Sequence, residues 1–508
     1  MVANALSAMI MGMEVCPIRV EVDMSDGLPS FVMVGYASVQ VKESQDRVRT
    51  ALKNHGLSLP PKRITVNMAP ADIRKEGAGF DLPLAAAVLS AAGVFPPEKL
   101  EGILFVGEMS LNGEIRPVPG ILPRVIHARE IGCRYCVIPK GNEKEARLVE
   151  DMKILPVSDL EELLQAVLDP ENFYREGPET EEAESSKEKT PDFSEVMGQE
   201  GARRAAEIAV SGFHNLMLIG PPGAGKTMLA RRIPTIMPEL TFDESLELTK
   251  IYSIAGLLDE ESPLIRHRPF RSPHHTSTTA SLTGGGRIPR PGEITLAHRG
   301  ILFLDEMPEF SKRSLETLRQ PLEDKFVNIA RASGNFRFPA NFMLVAAMNP
   351  CPCGYYPDMN KCRCTPGEVS HYLGKISQPL LDRIDLCVDI PAVSLEEMSS
   401  REQAESSAGI RVRVDAARER QRDRYKGTGI SFNAELQGSG VREYCLPDRK
   451  AEALLEKAYQ KMQFSVRSYH KILKVARTIA DLGDSDLIGS NHIAEALSYR
   501  ALDQKYWR

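Results

Sequence analysis

Gly220-Pro221-Pro222-Gly223-Ala224-Gly225-Lys226-Thr227 restricts this chain more than any other stretch. It reads G-x-x-x-x-G-K-T, the pattern of a loop that cradles phosphates. Its glycines let the backbone curl until several N–H groups face a polyphosphate. Lys226 adds positive charge at the β- and γ-phosphates, and the Thr227 hydroxyl is suited to Mg²⁺. The flanks agree with that reading. Leu216 to Ile219 reads as a short buried strand entering the loop, and Thr227 to Arg232 as a helix leaving it, so the phosphates sit at a helix N-terminus. The expectation is an α/β motor core that binds ATP with Mg²⁺.

Two further apolar strands end in chemistry. Gly300 to Leu304 runs into Asp305 and Glu306. That is the Walker B pattern, in which Asp305 holds Mg²⁺ through water and Glu306 polarises the attacking water. Phe342 to Met348 ends in Asn349, which fits a sensor orienting water near the γ-phosphate.

The chain has 508 residues, with 42% hydrophobic and 26% charged, an ordinary composition for about three domains. Its net charge of −6 excludes a global basic field, so a nucleic-acid surface must be local. No run of apolar residues is long enough to span a membrane. The apolar stretch from Met1 to Met13 lacks a basic flank and a cleavage site, and reads as a strand. An odd count of nine cysteines points to a reducing, cytoplasmic setting.

Residues 1–167 read as an α+β domain. Strands are expected at Val15 to Val22, Ser30 to Val34, Ile64 to Met68, Ile103 to Met109 and Tyr135 to Pro139. Helices are expected at Ser44 to His55, Leu82 to Ala92 and Pro123 to Ile131, and a hairpin turn at Asn112-Gly113. Gly113 to Gly120 followed by Val125 to Arg129 resembles the proteolytic domain of Lon. That family needs a serine nucleophile and a lysine base. The matching stretch from Lys75 to Pro83 contains no serine, and Pro119 to Pro123 contains no lysine. The expectation is a Lon-like fold without peptidase activity. Cys133 and Cys136 read as core thiols. Residues 168–192 are rich in Glu, Pro and Ser without apolar periodicity, and read as a flexible linker that lets the first domain move relative to the motor.

Residues 193–395 read as the motor. Asp192 to Glu200 resembles the segment that packs on adenine in AAA+ ATPases. Ser377 to Asp385 resembles the arginine-finger segment of the magnesium-chelatase and replicative-helicase branch. Arg383 would then reach a neighbouring subunit's ATP; a local salt bridge to Asp382 or Asp385 is the alternative. Phe270 to Ser277, Gly284 to Gly286, Asn349 to Gly354 and Val475 to Leu482 together resemble the ComM/YifB family of magnesium-chelatase-like AAA+ ATPases. The resemblance covers essentially the whole chain. It implies a hexameric ring acting on branched or single-stranded DNA, in branch migration during natural transformation. A chelatase-type or protein-remodelling ATPase is the alternative.

Lys325 to Phe338 reads as a hairpin turning at Ser333-Gly334-Asn335, with Lys325, Arg331 and Arg337 on its arms. Such a basic hairpin can track phosphates; an exposed hairpin with solvated charges is the alternative. Pro273 to Pro291 shows no periodicity, and the adjacent His274 and His275 make a poor metal pair. Cys351, Cys353, Cys362 and Cys364 give C-x-C-x₈-C-x-C, which suits tetrahedral Zn²⁺. Free thiols and an iron–sulfur cluster stay open.

Residues 396–508 read as a helical lid, with helices at Gly409 to Lys426, Arg449 to Lys461, Ser468 to Leu482 and Ser490 to Tyr499. Ser465-Val466-Arg467 resembles the second sensor, which would place Arg467 at the γ-phosphate. Arg477 is a second candidate for that role.

Overall fold

Val2–Met11 and Glu14–Ser25 alternate buried and exposed side chains and pair antiparallel across a turn at Gly12. In this computed structural model the described residues are 2–77, 79–177, 191–331, 334–392, 404–462 and 465–507, without the side chains of 501–504. Most of the predicted linker, Ser333 of the predicted hairpin turn and Ala78 of the Lon-like stretch therefore lie outside the described residues.

The first domain forms a mixed seven-stranded sheet. Its order is Ser30–Val34, Arg63–Ala69, Glu14–Ser25, Val2–Met11, Ile103–Phe105, Tyr135–Pro139 and Lys153–Val157. The Ala/Leu-rich helix Asp81–Ala91 is buried almost all round against it. Asp81 at the start of that helix is buried and accepts two hydrogen bonds from Arg47, at 2.8 and 2.9 Å. The strand expected over Ile103 to Met109 breaks in two. Ile103–Phe105 stays in the sheet, and Glu108–Met109 turns out to pair with Ile115–Arg116 around Asn112-Gly113. In the Lon-like stretch Lys75 is buried, with its Nζ on the Pro70 carbonyl. Among the described residues its ammonium has no hydroxyl partner there.

The motor has a five-stranded parallel sheet in the order Phe270–Arg271, Ile301–Leu304, Met343–Met348, Leu216–Ile219 and Leu386–Asp389. The three central strands are buried throughout, as a sheet covered on both faces requires. Each buried Leu, Ile or Phe contributes about 1.5–3 kcal/mol. Polar function is therefore confined to the strand ends, where Gly220, Asp305 and Asn349 lie side by side, and ligands of open α/β sheets bind at such ends.

The lid comprises helices Ser407–Arg424, Arg449–Met462, Val466–Leu482 and Ser490–Trp507. The arginines of its first helix are structural as well as solvated. Arg413 pairs with Glu207 and Glu405, Arg418 stacks 3.7 Å over the Phe432 ring, and Arg424 binds Asp481. The stretch from Pro273 to Pro291 holds a short helix, Thr279–Thr283, and a two-residue ribbon pairing Gly284–Gly285 with Arg290–Pro291. Both are shorter than any periodicity can reveal.

The first domain rests on the motor. A Cβ on Gly12 would stand 3.0 Å from the Phe336 ring of the hairpin, and Met11 and Met13 pack against the same cluster. Glu145 accepts hydrogen bonds from the Leu122 N–H at 2.8 Å and, across the boundary, from the Ser253 hydroxyl at 2.5 Å. Burial raises the Glu145 pKa, and these donors counter the shift. No helix among the described residues is long and apolar enough to cross a membrane.

Candidate functional site

The loop from Gly220 to Thr227 is curled as its sequence requires. Gly223 and Gly225 have φ of +76° and +81°, and a Cβ on Gly220 would stand 2.2 Å from the Ile390 carbonyl oxygen. Lys226 opens the helix Lys226–Arg232, and its Nζ donates to the carbonyls of Gly220 and Pro221 at 2.7 and 2.9 Å. It also donates to Asn349 Oδ1 at 3.0 Å. Burial lowers the Lys226 pKa, and Asp305 and Glu306 oppose that shift. A polyphosphate entering the loop replaces those carbonyls with stronger, charged acceptors.

Thr227 Oγ1 donates to Asp305 Oδ2 at 2.7 Å. A hydroxyl and a carboxylate so close are the two protein ligands a P-loop Mg²⁺ takes. The Asp305 carboxylate also accepts the Glu306 N–H at 2.9 Å. Glu306 has φ of +49° and projects outward, with its Oε2 3.6 Å from His275 Nδ1. His275, half of the adjacent pair that suits no metal, is thus a neighbour of the Walker B glutamate. No local sequence signal pairs residues so far apart.

Beside the loop lies a cleft of about 910 Å³ lined by Met197, Gln199, Arg203, Asp389, Glu405 and Arg413 among others. Gln199 Nε2 donates to the Ala224 carbonyl, which joins this cleft to the phosphate loop. The segment expected to pack on adenine forms its wall.

The two arginines read as finger and second sensor meet at Glu323, and the hydrogen bonds they make are to groups outside the phosphate loop. Arg383 donates to the carbonyls of Pro379 at 2.6 Å and Arg319 at 3.1 Å and pairs with Glu323. Its partner is thus neither Asp382 nor Asp385. Arg467 donates to the other oxygen of Glu323 at 3.0 Å. Arg477 is buried and bound to Asp481 and to the carbonyls of Ser485 and Asp486, a clasp within the lid.

A buried network holds the segment of Arg383. Asn215, just before the phosphate-loop strand, donates from its amide to the Arg383 carbonyl at 2.8 Å and from its N–H to Asp385 at 3.0 Å. Lys471 of the lid donates to the Ile384 carbonyl at 2.7 Å. Burial alone would raise the Asp385 pKa, but Lys471 and His214 outweigh it and hold the carboxyl well below its ordinary range.

The hairpin forms from Phe326–Arg331 and Gly334–Pro339, with Ile329 opposite Phe336 and Arg331 opposite Gly334. Val327, Ile329, Phe336 and Phe338 face the core, while Asn328, Asn335 and Arg337 face out. Arg337 stacks 3.7 Å over the Phe326 ring, and Arg331 donates to the Gly286 carbonyl at 3.2 Å. Lys325 departs from the expected pattern. It precedes the strand at the hairpin base, and burial lowers its pKa while Glu435 and Asp385 act against the shift. Its side chain belongs to the junction with the lid.

The four cysteines of the C-x-C-x₈-C-x-C stretch converge, with all Sγ atoms within 4.8 Å of one another. Sγ separations of 3.4, 3.5 and 3.8 Å link Cys351, Cys353 and Cys362. A tetrahedral zinc with bonds of about 2.3 Å sets sulfurs about 3.8 Å apart. Backbone N–H groups point at the sulfurs. Cys351 accepts from Gly354 at 3.2 Å and Tyr356 at 3.4 Å. Cys353 accepts from Tyr355 and Arg363, and these bonds pull its pKa down to about 6. Donors so placed stabilise the Cys353 thiolate, the form that binds metal, while burial and hydrogen bonds to neighbouring cysteines push the Cys362 and Cys364 thiols up.

The description "Magnesium chelatase, subunit ChlI" matches residues 192–398, and its C-terminal counterpart matches 404–500. "Subunit ChlI of Mg-chelatase" matches residues 20–142. The uncharacterized protein YifB of Escherichia coli (strain K12) is 43% identical over 97% of this chain and 96% of its own length. The competence protein ComM of Haemophilus influenzae is 42% identical over 97% of this chain and 96% of its own. Lon protease 2 of Bacillus subtilis is 27% identical over 128 residues, 25% of this chain and 23% of that protein.

Proposed function

This chain belongs to the magnesium chelatase ChlI family, with YifB and ComM proteins among its relatives, and on that premise we propose that it is an ATP-driven DNA motor. It works as a homo-hexameric ring that moves branch points or single strands of DNA. Lys226 and the loop N–H groups hold the triphosphate, and Glu306 takes the proton of the attacking water. Asn349 orients that water. Mg²⁺, when bound at Thr227 and Asp305, neutralises charge building on the β- and γ-phosphates. Arg383 serves the neighbouring subunit's ATP, with Arg467 beside it on Glu323. The four-thiol cluster holds Zn²⁺ as a structural ion.

The observation that carries the DNA reading is the hairpin. Its apolar face is covered by Met11, Gly12 and Met13, so Asn328, Asn335, Arg331 and Arg337 are what it presents outward. Arg331 reaches Gly286 in the 273–291 stretch, so the hairpin and that stretch form one polar surface. Repeated around a ring, that surface concentrates positive charge in a chain of negative net charge. Binding through phosphates releases counterions and falls steeply with salt. Arg331→Ala combined with Arg337→Ala is expected to weaken DNA binding at least about tenfold near 0.1 M salt and to flatten its salt dependence. Basal ATP hydrolysis should persist, because neither side chain touches the nucleotide residues. Fluorescence anisotropy on a labelled single strand and a four-way junction measures this. Unchanged affinity and unchanged salt slope would remove the hairpin as the DNA-contacting element.

A further inference from the structure

The four-thiol cluster touches three parts of the nucleotide site at once. Cys351 follows Asn349 with only Pro350 between them, and Asn349 accepts from Lys226 at 3.0 Å. Gly354, inside the cluster, lies so close to the phosphate loop that a Cβ on it would stand 2.4 Å from Pro222 Cδ. Tyr356 meets Tyr506 of the last helix with ring centroids 6.4 Å apart. The Tyr506 hydroxyl in turn donates at 2.8 Å to Asp389, which lines the nucleotide-side cleft.

Short backbone turns, closed by the N–H groups of Gly354, Asp358, Lys361 and Cys362, are the regular structure of this stretch. Residues 351–364 contain turns but no helix or strand, and Cys351 and Cys362 are its buried anchors. All four cysteines are free thiols rather than disulfide partners. Free thiols are weak hydrogen-bonding groups, so they add little to hold one turn on the other. Four metal–sulfur bonds would close both turns, and structural zinc of this kind contributes folding free energy directly.

We propose that the metal-loaded cysteine cluster is a strut that sets the position of the phosphate loop through Gly354 and Pro222, and of Asn349 through the chain itself. Metal occupancy then controls nucleotide affinity, although the metal never touches nucleotide. The inference rests on the zinc reading given above. It extends that reading from a structural ion to control of the motor.

The test uses the full-length protein and two readouts, metal content by elemental analysis and the Kd of a fluorescent ATP analogue with Mg²⁺. The purified protein is expected to carry close to one zinc per chain. Stripping it with a chelator and a thiol-reactive mercurial, followed by reduction, should raise the Kd about tenfold or more, the size of one lost charge-assisted hydrogen bond. Added Zn²⁺ should restore it. Gly354→Ala supplies an independent arm that keeps all four ligands. Its Cβ must displace Pro222, and the left-handed φ of +87° adds strain. This variant should retain zinc and still bind nucleotide weakly, with an unchanged far-UV circular dichroism spectrum. A protein that holds zinc, yet binds nucleotide equally well with and without it, would overturn the strut while leaving the zinc reading intact. Absence of zinc, with all four thiols titrating freely, would overturn both.

Discussion

Glu306→Gln is expected to leave ATP binding intact and to slow hydrolysis by about 10²–10⁴-fold, the range of general-base catalysis. The amide keeps the size and position of the side chain and cannot accept the proton of the attacking water. Glu306 suits this test because it carries little structure. It projects outward after a buried strand, and its close side-chain neighbour is His275 at 3.6 Å. Loss of activity through misfolding is therefore not expected. Lys226 is a poorer probe of chemistry, since its ammonium ties Gly220, Pro221 and Asn349 together. Steady-state phosphate release and nucleotide affinity, measured on one preparation, separate the two effects. Hydrolysis within about tenfold of wild type would show that another group activates the water.

Arg383→Ala is expected to retain nucleotide and lose about 10³-fold or more in hydrolysis, as removal of an arginine finger does. The mixing experiment is more telling than the loss. Subunits with Arg383→Ala keep an intact phosphate loop, and subunits with Lys226→Ala keep an intact finger. Neither variant alone should hydrolyse ATP. Mixed and allowed to exchange, they should recover part of the wild-type rate, because some interfaces join a working loop to a working arginine. A mixture as inactive as its parts, with mixed rings demonstrated, would place Arg383 in a role within its own subunit. The Arg383 side chain is held by Glu323 and by the Pro379 and Arg319 carbonyls. Reaching a neighbour requires release from Glu323, and the Asn215 and Lys471 contacts keep the backbone beneath it fixed.

The motifs that act locally were legible in the sequence. The phosphate loop, Asp305 and Asn349 each stand at the end of an apolar run, and the sheet order brings those ends together. The hairpin was legible from the Ser333-Gly334-Asn335 turn between its basic arms. What escaped depends on contacts between distant segments. Arg467 meets Glu323, 144 positions away in the chain, and nothing near either residue announces it. Lys325 looked like an arm of the hairpin because it adjoins the alternating run. Its φ of +62° ends the preceding helix and turns it toward the lid instead. The acidic stretch before the motor suggested a freely moving first domain, whereas Gly12 against Phe336 and Glu145 on Ser253 are surface contacts that composition does not encode. The helix Phe242–Ala255 has a start legible in the sequence as the Thr241 and Glu244 capping box.

The most direct measurement of the central claim is ATP hydrolysis by the wild-type protein on a synthetic four-way junction and on single-stranded DNA, at low salt, alongside strand displacement from the junction. A DNA motor is predicted to hydrolyse ATP faster when either DNA is present and to move the junction only with hydrolysable ATP and an intact Glu306. Steady ATP hydrolysis with no affinity for either DNA would contradict the account and assign the motor to a protein or chelatase-type substrate.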